Sequence, residues 1–191
     1  TPERSTMQHR INIDRKRLLF GVMFLYTTLA ISIGTVASPV RAASPNDSEK
    51  RQRVAAMYAD YREDFPGIKE IDAEAAIALL SDPGVVFVDV RKPKEQAVSM
   101  IPGAITDTQF MDQLDQYRGK RVIVYCTISY RSGKLAAKLQ KRGISVTNLK
   151  EGLLGWAHAG GPLAQQNQPV RKLHVYGRKW DLAPDTIETV Y

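Results

Sequence analysis

The chain has 191 residues, a length that suits one domain with extensions. Its hydrophobic fraction of 43% and charged fraction of 25% are ordinary for a globular domain and exclude a low-complexity or fibrous chain. The net charge is +7, but +4 of it falls in residues 1–42, and no basic stripe interleaves with aromatics, so nothing in the composition points to a nucleic-acid partner.

Residues 1–43 read as a signal peptide or an N-terminal membrane anchor. Arg15-Lys16-Arg17 forms a positive block, and Leu18 to Val40 then carries no charge. This apolar stretch is about long enough to cross a bilayer as a hydrophobic helix, while Val40-Arg41-Ala42 offers residues that a signal peptidase reads. Both readings stand. Both put the rest of the chain in a periplasmic or other extracytoplasmic space, either secreted or held at the membrane through residues 18–40.

Residues 44–67 hold a linker and an amphipathic helix. The linker, Ala43 to Ser48, is rich in Ser, Pro and Asn, and the helix spans Glu49 to Asp64 with Val54, Tyr58, Tyr61 and Phe65 on one face. Ile68 to Ile71 is a short strand, and Asp72 is placed to N-cap a helix over Ala73 to Leu80. Val85 to Val90, interrupted only by Asp89, has the continuous apolar character of a strand buried on both faces. A loop and short helix come next over Lys92 to Ser99, then a short strand near Ile105, a helix over Phe110 to Tyr117, and a second buried strand over Arg121 to Tyr125. A helix over Gly133 to Arg142 ends near Gly143. Val146 to Leu149 is a further strand, and Leu153 to Ala159 a last short helix. Alternation of strands and helices predicts an α/β fold with a mainly parallel sheet, in which ligands sit at the carboxyl ends of the strands. Asp89 and Cys126 share that edge. Gln165 to Gln168 reads as a polar linker. Residues 164–191 form an extension whose Tyr176, Trp180 and Tyr191 are too aromatic for a disordered tail.

Cys126 is the only cysteine. It cannot make an internal disulfide, and is either a small buried hydrophobe or a working thiol. It stands at the end of a strand, succeeded by Thr127, Ile128, Ser129, Tyr130, Arg131 and Ser132 and then by a helix. Amides of such a loop favour an anion, and the same field favours the nucleophilic thiolate over the thiol. Arg131 adds a fixed positive charge. Ser132 is a candidate N-cap or anion donor, and Asp89 a candidate to tie down its neighbouring loop. Three histidines and one cysteine with no close ligand spacing give no metal site.

Four segments carry a resemblance. Val88-Asp89-Val90-Arg91-Lys92-Pro93-Lys94-Glu95 is similar to the first signature of the rhodanese-like domain family. Ser99-Met100-Ile101-Pro102-Gly103-Ala104-Ile105 is similar to the second, with Ser99-Met100 where that family usually has Gly-His. Cys126 to Arg131 matches the active-site loop, and Leu149 to Trp156 the closing segment. The resemblance covers residues 68–163. It implies a five-stranded mainly parallel sheet with helices on both faces, preceded here by the N-terminal hydrophobic helix. It also implies sulfur transfer without a cofactor: Cys126 takes sulfane sulfur from a donor such as thiosulfate, holds it as a persulfide, and passes it to a thiol or cyanide. The loop from Thr127 to Ser132, together with Arg91, is then the anion-binding set, and Asp89 its structural support. Many family members carry a glycine inside this loop, whereas Ile128, Ser129 and Tyr130 fill it here. Two other functions suit the same fold. One is a binding or regulatory module without catalysis. The other is a phosphatase or arsenate reductase, whose loops hold five residues between Cys and Arg rather than the four found here.

Overall fold

The computed structural model describes residues 45–191, so the expected leader or anchor in residues 1–43 lies outside the described residues. In chain order come α1 (Pro45–Arg62), β1 (Lys69–Ile71), α2 (Ala73–Ile77), β2 (Val85–Asp89), α3 (Pro93–Gln96), β3 (Ile105–Thr106), α4 (Asp107–Asp112), β4 (Arg121–Tyr125), α5 (Tyr130–Gln140), β5 (Thr147–Leu149), α6 (Gly152–His158), and β6 (Leu163–Gln165), β7 (Gln168–Val170), β8 (Lys172–His174) and β9 (Glu188–Val190). The first five strands form one parallel sheet in the order β1-β5-β4-β2-β3. This is the α/β architecture that the alternation of elements predicts.

The two apolar runs occupy the middle of the sheet because each must bury both faces. Phe87, Ile123 and Tyr125 point to one side, where they join Val54, Ala76, Leu153, Leu154 and Trp156 from α1, α2 and α6. Val88, Val122 and Val124 point to the other, where Phe110, Ala136 and Leu139 from α4 and α5 cover them. The period-2 alternation of the strands thus feeds two cores. Asp89 and Tyr125 are register partners at the carboxyl edge, which sets Cys126 one residue beyond that edge.

Several elements depart from the sequence-based expectation. Helix α1 starts at Pro45 rather than Glu49, since proline is well tolerated in a first helical turn. Asp72 stands at the N-cap of α2 but makes no capping bond; its carboxylate pairs with Lys150 at 2.8 Å. The helix expected over Phe110 to Tyr117 begins earlier, where Thr106 and Gln109 form a capping box, and breaks at Gln113 into a 3₁₀ turn over Leu114–Tyr117. The polar stretch Gln165 to Gln168 is a hairpin turn rather than a linker. Gln166 and Asn167 take φ of 49° and 65°, the two left-handed positions of a two-residue turn between β6 and β7.

The extension folds back on the domain. Strands β8 and β9 pair in parallel, and Leu173, Val175, Leu182 and Ala183 enter the same core as Phe87 and Trp156. The ring of His158 donates from Nε2 to the Leu182 carbonyl at 2.7 Å, and Lys50 of α1 pairs with Asp185 at 2.8 Å. The described residues therefore fall in one compact unit. Among them no helix is long and apolar enough to cross a membrane.

Candidate active site

Cys126 is free and almost fully buried, 1% exposed, at the floor of a pocket of about 380 Å³. The loop beyond it is shaped by the close approach of α6. The N–H groups of Leu153 and Leu154 donate to the carbonyls of Cys126 and Thr127 at 2.9 and 3.1 Å. That approach requires Gly152, because a Cβ there would sit 2.3 Å from the Cys126 carbonyl oxygen. The Ser129 carbonyl is also occupied, accepting from Gly133 N–H at 2.9 Å and Asn148 Nδ2 at 3.3 Å. The carbonyls of the loop are thus committed to α6, α5 and β5. The six N–H groups from Thr127 to Ser132, by contrast, donate to no acceptor among the described residues. Buried backbone donors are nearly always paired, so a consecutive run of free ones beside a thiol is a candidate site for an anion.

The loop turns at Ser129, which takes the left-handed conformation with φ 69°. This is how a loop without glycine makes the bend. The Ser129 hydroxyl donates to the Leu149 carbonyl, which secures the conformation. Helix α5 then starts at Tyr130, three residues before the expected Gly133, so Arg131 and Ser132 belong to its first turn. Ser132 is therefore not the N-cap; that position is held by Ser129. The Ser132 hydroxyl is buried with no partner among the described residues.

Arg131 reaches the pocket wall but is not a free cation. Its Nη1 and Nη2 donate to the two oxygens of Glu95 at 2.7 and 2.8 Å, and Thr127 Oγ1 joins the pair with contacts of 3.3 Å to both residues. Glu95 is fully buried. Burial by itself would raise its pKa, but the Arg131 hydrogen bonds, the Lys92 N–H and the charges of Arg131 and Arg91 outweigh it and hold the carboxyl down at about 2. Burial likewise works against the Arg131 charge, and its bond to Glu95 together with the proximity of Cys126 raises its pKa above the usual value. The Tyr176 ring covers the guanidinium at 5.5 Å.

Arg91, expected in the anion-binding set, is placed elsewhere. Its side chain is fully buried and bound to Asp89, with a shortest contact of 2.7 Å, and to the Ser99 carbonyl. It is not among the residues lining the pocket. Asp89 also accepts the Arg91 N–H at 2.9 Å, so the pair ties the end of β2 to the adjoining loop. The structure brings Cys126, Thr127, Ile128, Tyr130 and Arg131 together at the pocket, and turns Ser129 and Ser132 into the protein.

Four lining residues were not singled out by sequence reasoning: Lys92 after β2, Tyr61 of α1, and Tyr176 and Trp180 of the extension. Tyr61 lay on the expected apolar face of its helix, and the aromatic content of the extension was its one legible signal. Among the described residues, no group of three or more His, Cys, Asp or Glu gathers to hold a metal ion.

The profile of the Rhodanese-like domain matches residues 72–159. A sulfurtransferase of Allochromatium vinosum is 33% identical over 101 residues, which cover 50% of this chain and 94% of that protein. The chain belongs to the rhodanese-like domain family. A tRNA uridine(34) hydroxylase of Buchnera aphidicola is 32% identical over 90 residues, covering 42% of this chain and only 29% of the hydroxylase. Among solved structures, a thiosulfate sulfurtransferase of Pseudomonas aeruginosa aligns with 27% identity and a TM-score of 0.46, over 54% of this chain and 20% of that one.

Proposed function

We propose that the protein moves sulfane sulfur from a small donor to a thiol acceptor through a persulfide on Cys126. The Cys126 thiolate attacks the outer sulfur of the donor, whose S–S bond breaks with its electron pair leaving on the donor fragment. The resulting Cys126 persulfide is an anion. An acceptor thiolate then attacks its outer sulfur, and the electron pair of the broken S–S bond returns to Cys126 Sγ. Nothing is oxidised or reduced overall, and one hard transfer becomes two easier ones. The observation that carries this reading is the run of six uncommitted N–H groups after the thiol, which suits the thiolate and the persulfide alike.

The test is intact-mass measurement of the full chain after incubation with thiosulfate or inorganic polysulfide, donors that each carry an S–S bond. A gain of one sulfur atom that disappears in Cys126→Ser is expected. No gain from any sulfane donor overturns the proposal. That result would favour a rhodanese-like binding module, a reading that draws on the neutralisation of Arg131 by Glu95. We also infer that residues 1–43 export or anchor the domain. An alkaline phosphatase fused after Ala43 is then active only with the Arg15-Lys16-Arg17 block and the apolar run intact.

A further inference from the structure

The pocket over Cys126 is built for more than a small inorganic anion. Its volume of about 380 Å³ lies in the range of sites for small organic molecules, roughly 300–1,000 Å³. Its walls are aromatic. Tyr61 and Tyr130 meet at a tilt of 58° with ring centroids 5.2 Å apart, and Tyr176 and Trp180 meet edge-to-face at 5.2 Å. Three of these four rings come from outside the matched family segment, residues 72–159.

Charge is distributed to match. A doubly charged oxyanion such as thiosulfate is held best where uncompensated positive charge adds to the loop amides beside the thiol. The nearest guanidinium, Arg131, is already satisfied by Glu95 and roofed by Tyr176. The remaining cation of the lining is Lys92, which is exposed and whose ammonium makes no ion pair among the described residues. Being exposed while Cys126 is buried, it offers the lining an ammonium on the solvent side.

From these observations we propose that the preferred sulfur carrier is an organic thiol, and its persulfide, with a flat apolar body and an acidic group. The sulfur reaches Cys126 at the floor, the body lies against Tyr61, Tyr130, Tyr176 and Trp180, and the acid pairs with Lys92. Transfer joins the carrier sulfur to the outer sulfur of the Cys126 persulfide and returns the electron pair to Cys126, with no external oxidant or reductant. This inference rests on the persulfide chemistry proposed above.

The experiment separates the two. The full chain is first loaded with sulfur from excess polysulfide. Its discharge is then monitored by intact mass with 4-(mercaptomethyl)benzoate and with 3-mercaptopropionate. Both are alkyl thiols bearing a carboxylate, and each rate is divided by its rate against glutathione persulfide in the same buffer. A normalised preference of about tenfold or more for the aryl acid is expected, the scale of aromatic contacts in a closed pocket. Tyr176→Ala, at an exposed position that leaves the core intact, shrinks this preference several-fold. Lys92→Gln narrows the gap between the aryl acid and its uncharged analogue, 4-methylbenzyl thiol. Failure to load from any donor overturns the proposed function and this inference with it. Loading and then discharge with no preference, or a preference that survives both substitutions, overturns this inference alone.

Discussion

At Glu95 a buried carboxylate accepts two hydrogen bonds from Arg131 and one from the Lys92 N–H, which fixes the cation at the pocket wall. Its folded-state pKa, about 2, lies below the 4.5 of a free carboxyl. The stabilisation it brings is therefore fully present above about pH 5 and is lost as pH falls from there towards 2. The pH-linked part is worth roughly 3 kcal/mol. Urea denaturation from pH 6 down to pH 3 should show this loss in the native chain. Glu95→Gln should be less stable by about 2–3 kcal/mol at pH 7 and show a flatter profile. Ser129 supports a second comparison. Ser129→Ala loses the bond to the Leu149 carbonyl and keeps the left-handed backbone, whereas Ser129→Gly loses the bond and relieves the backbone. The glycine variant should be the more stable of the two by about 1 kcal/mol in urea melts. Cys126 and Arg131 were legible as site residues because both lie on one short loop. The partner of Arg131 was not. Arg91 stands four residues before Glu95 and is the nearer candidate by sequence, yet Asp89 claims it, and only the fold brings Glu95 across to a residue 36 positions away.

Between elements, the contact that matters most is the N-terminus of α6 against the thiol loop. Gly152→Ala places a Cβ on the Cys126 carbonyl and asks a side chain to adopt φ +56°. Moving α6 away would strip two donors from buried carbonyls. We expect a loss of about 3 kcal/mol or more in urea and, in whatever folds, failure of Cys126 to take up sulfur in the mass assay. Strands β2 and β4 were readable almost to the residue because a strand buried on both faces must be apolar throughout. The start of α5 was not. Ser132 has the chemistry of an N-cap, but the bend occurs at Ser129, whose left-handed backbone is stabilised by Leu149 and Asn148, partners about 20 residues away. The hairpin between β6 and β7 was hidden for a related reason. Its polar residues look like a linker, and it is docked by a residue distant in sequence, Met100, which exchanges backbone bonds with Ala164 at 2.8 and 2.9 Å.

For the molecule as a whole, residues 164–191 are part of the core and not an appendage. Leu173 and Val175 are fully buried, and Leu182 and Ala183 are 2% exposed. Each large aliphatic side chain left without its partners costs about 1.5–3 kcal/mol, against a total stability of roughly 5–15 kcal/mol for a domain. A chain ending at Leu163 should therefore lose its cooperative thermal transition, although the matched family segment is complete within it. The extension also supplies Tyr176 and Trp180, so its loss would open the pocket above the thiol. Cys126 itself lies at the bottom of that enclosure, without a second cysteine in the chain. A disulfide between two copies would need their Cα atoms within about 7 Å, an approach opposed by the burial of a thiol that is only 1% exposed. The protein is therefore insulated against cross-linking itself. After exposure to diamide, a non-reducing gel should show only the single-chain species, even under conditions in which the thiol is consumed by small molecules.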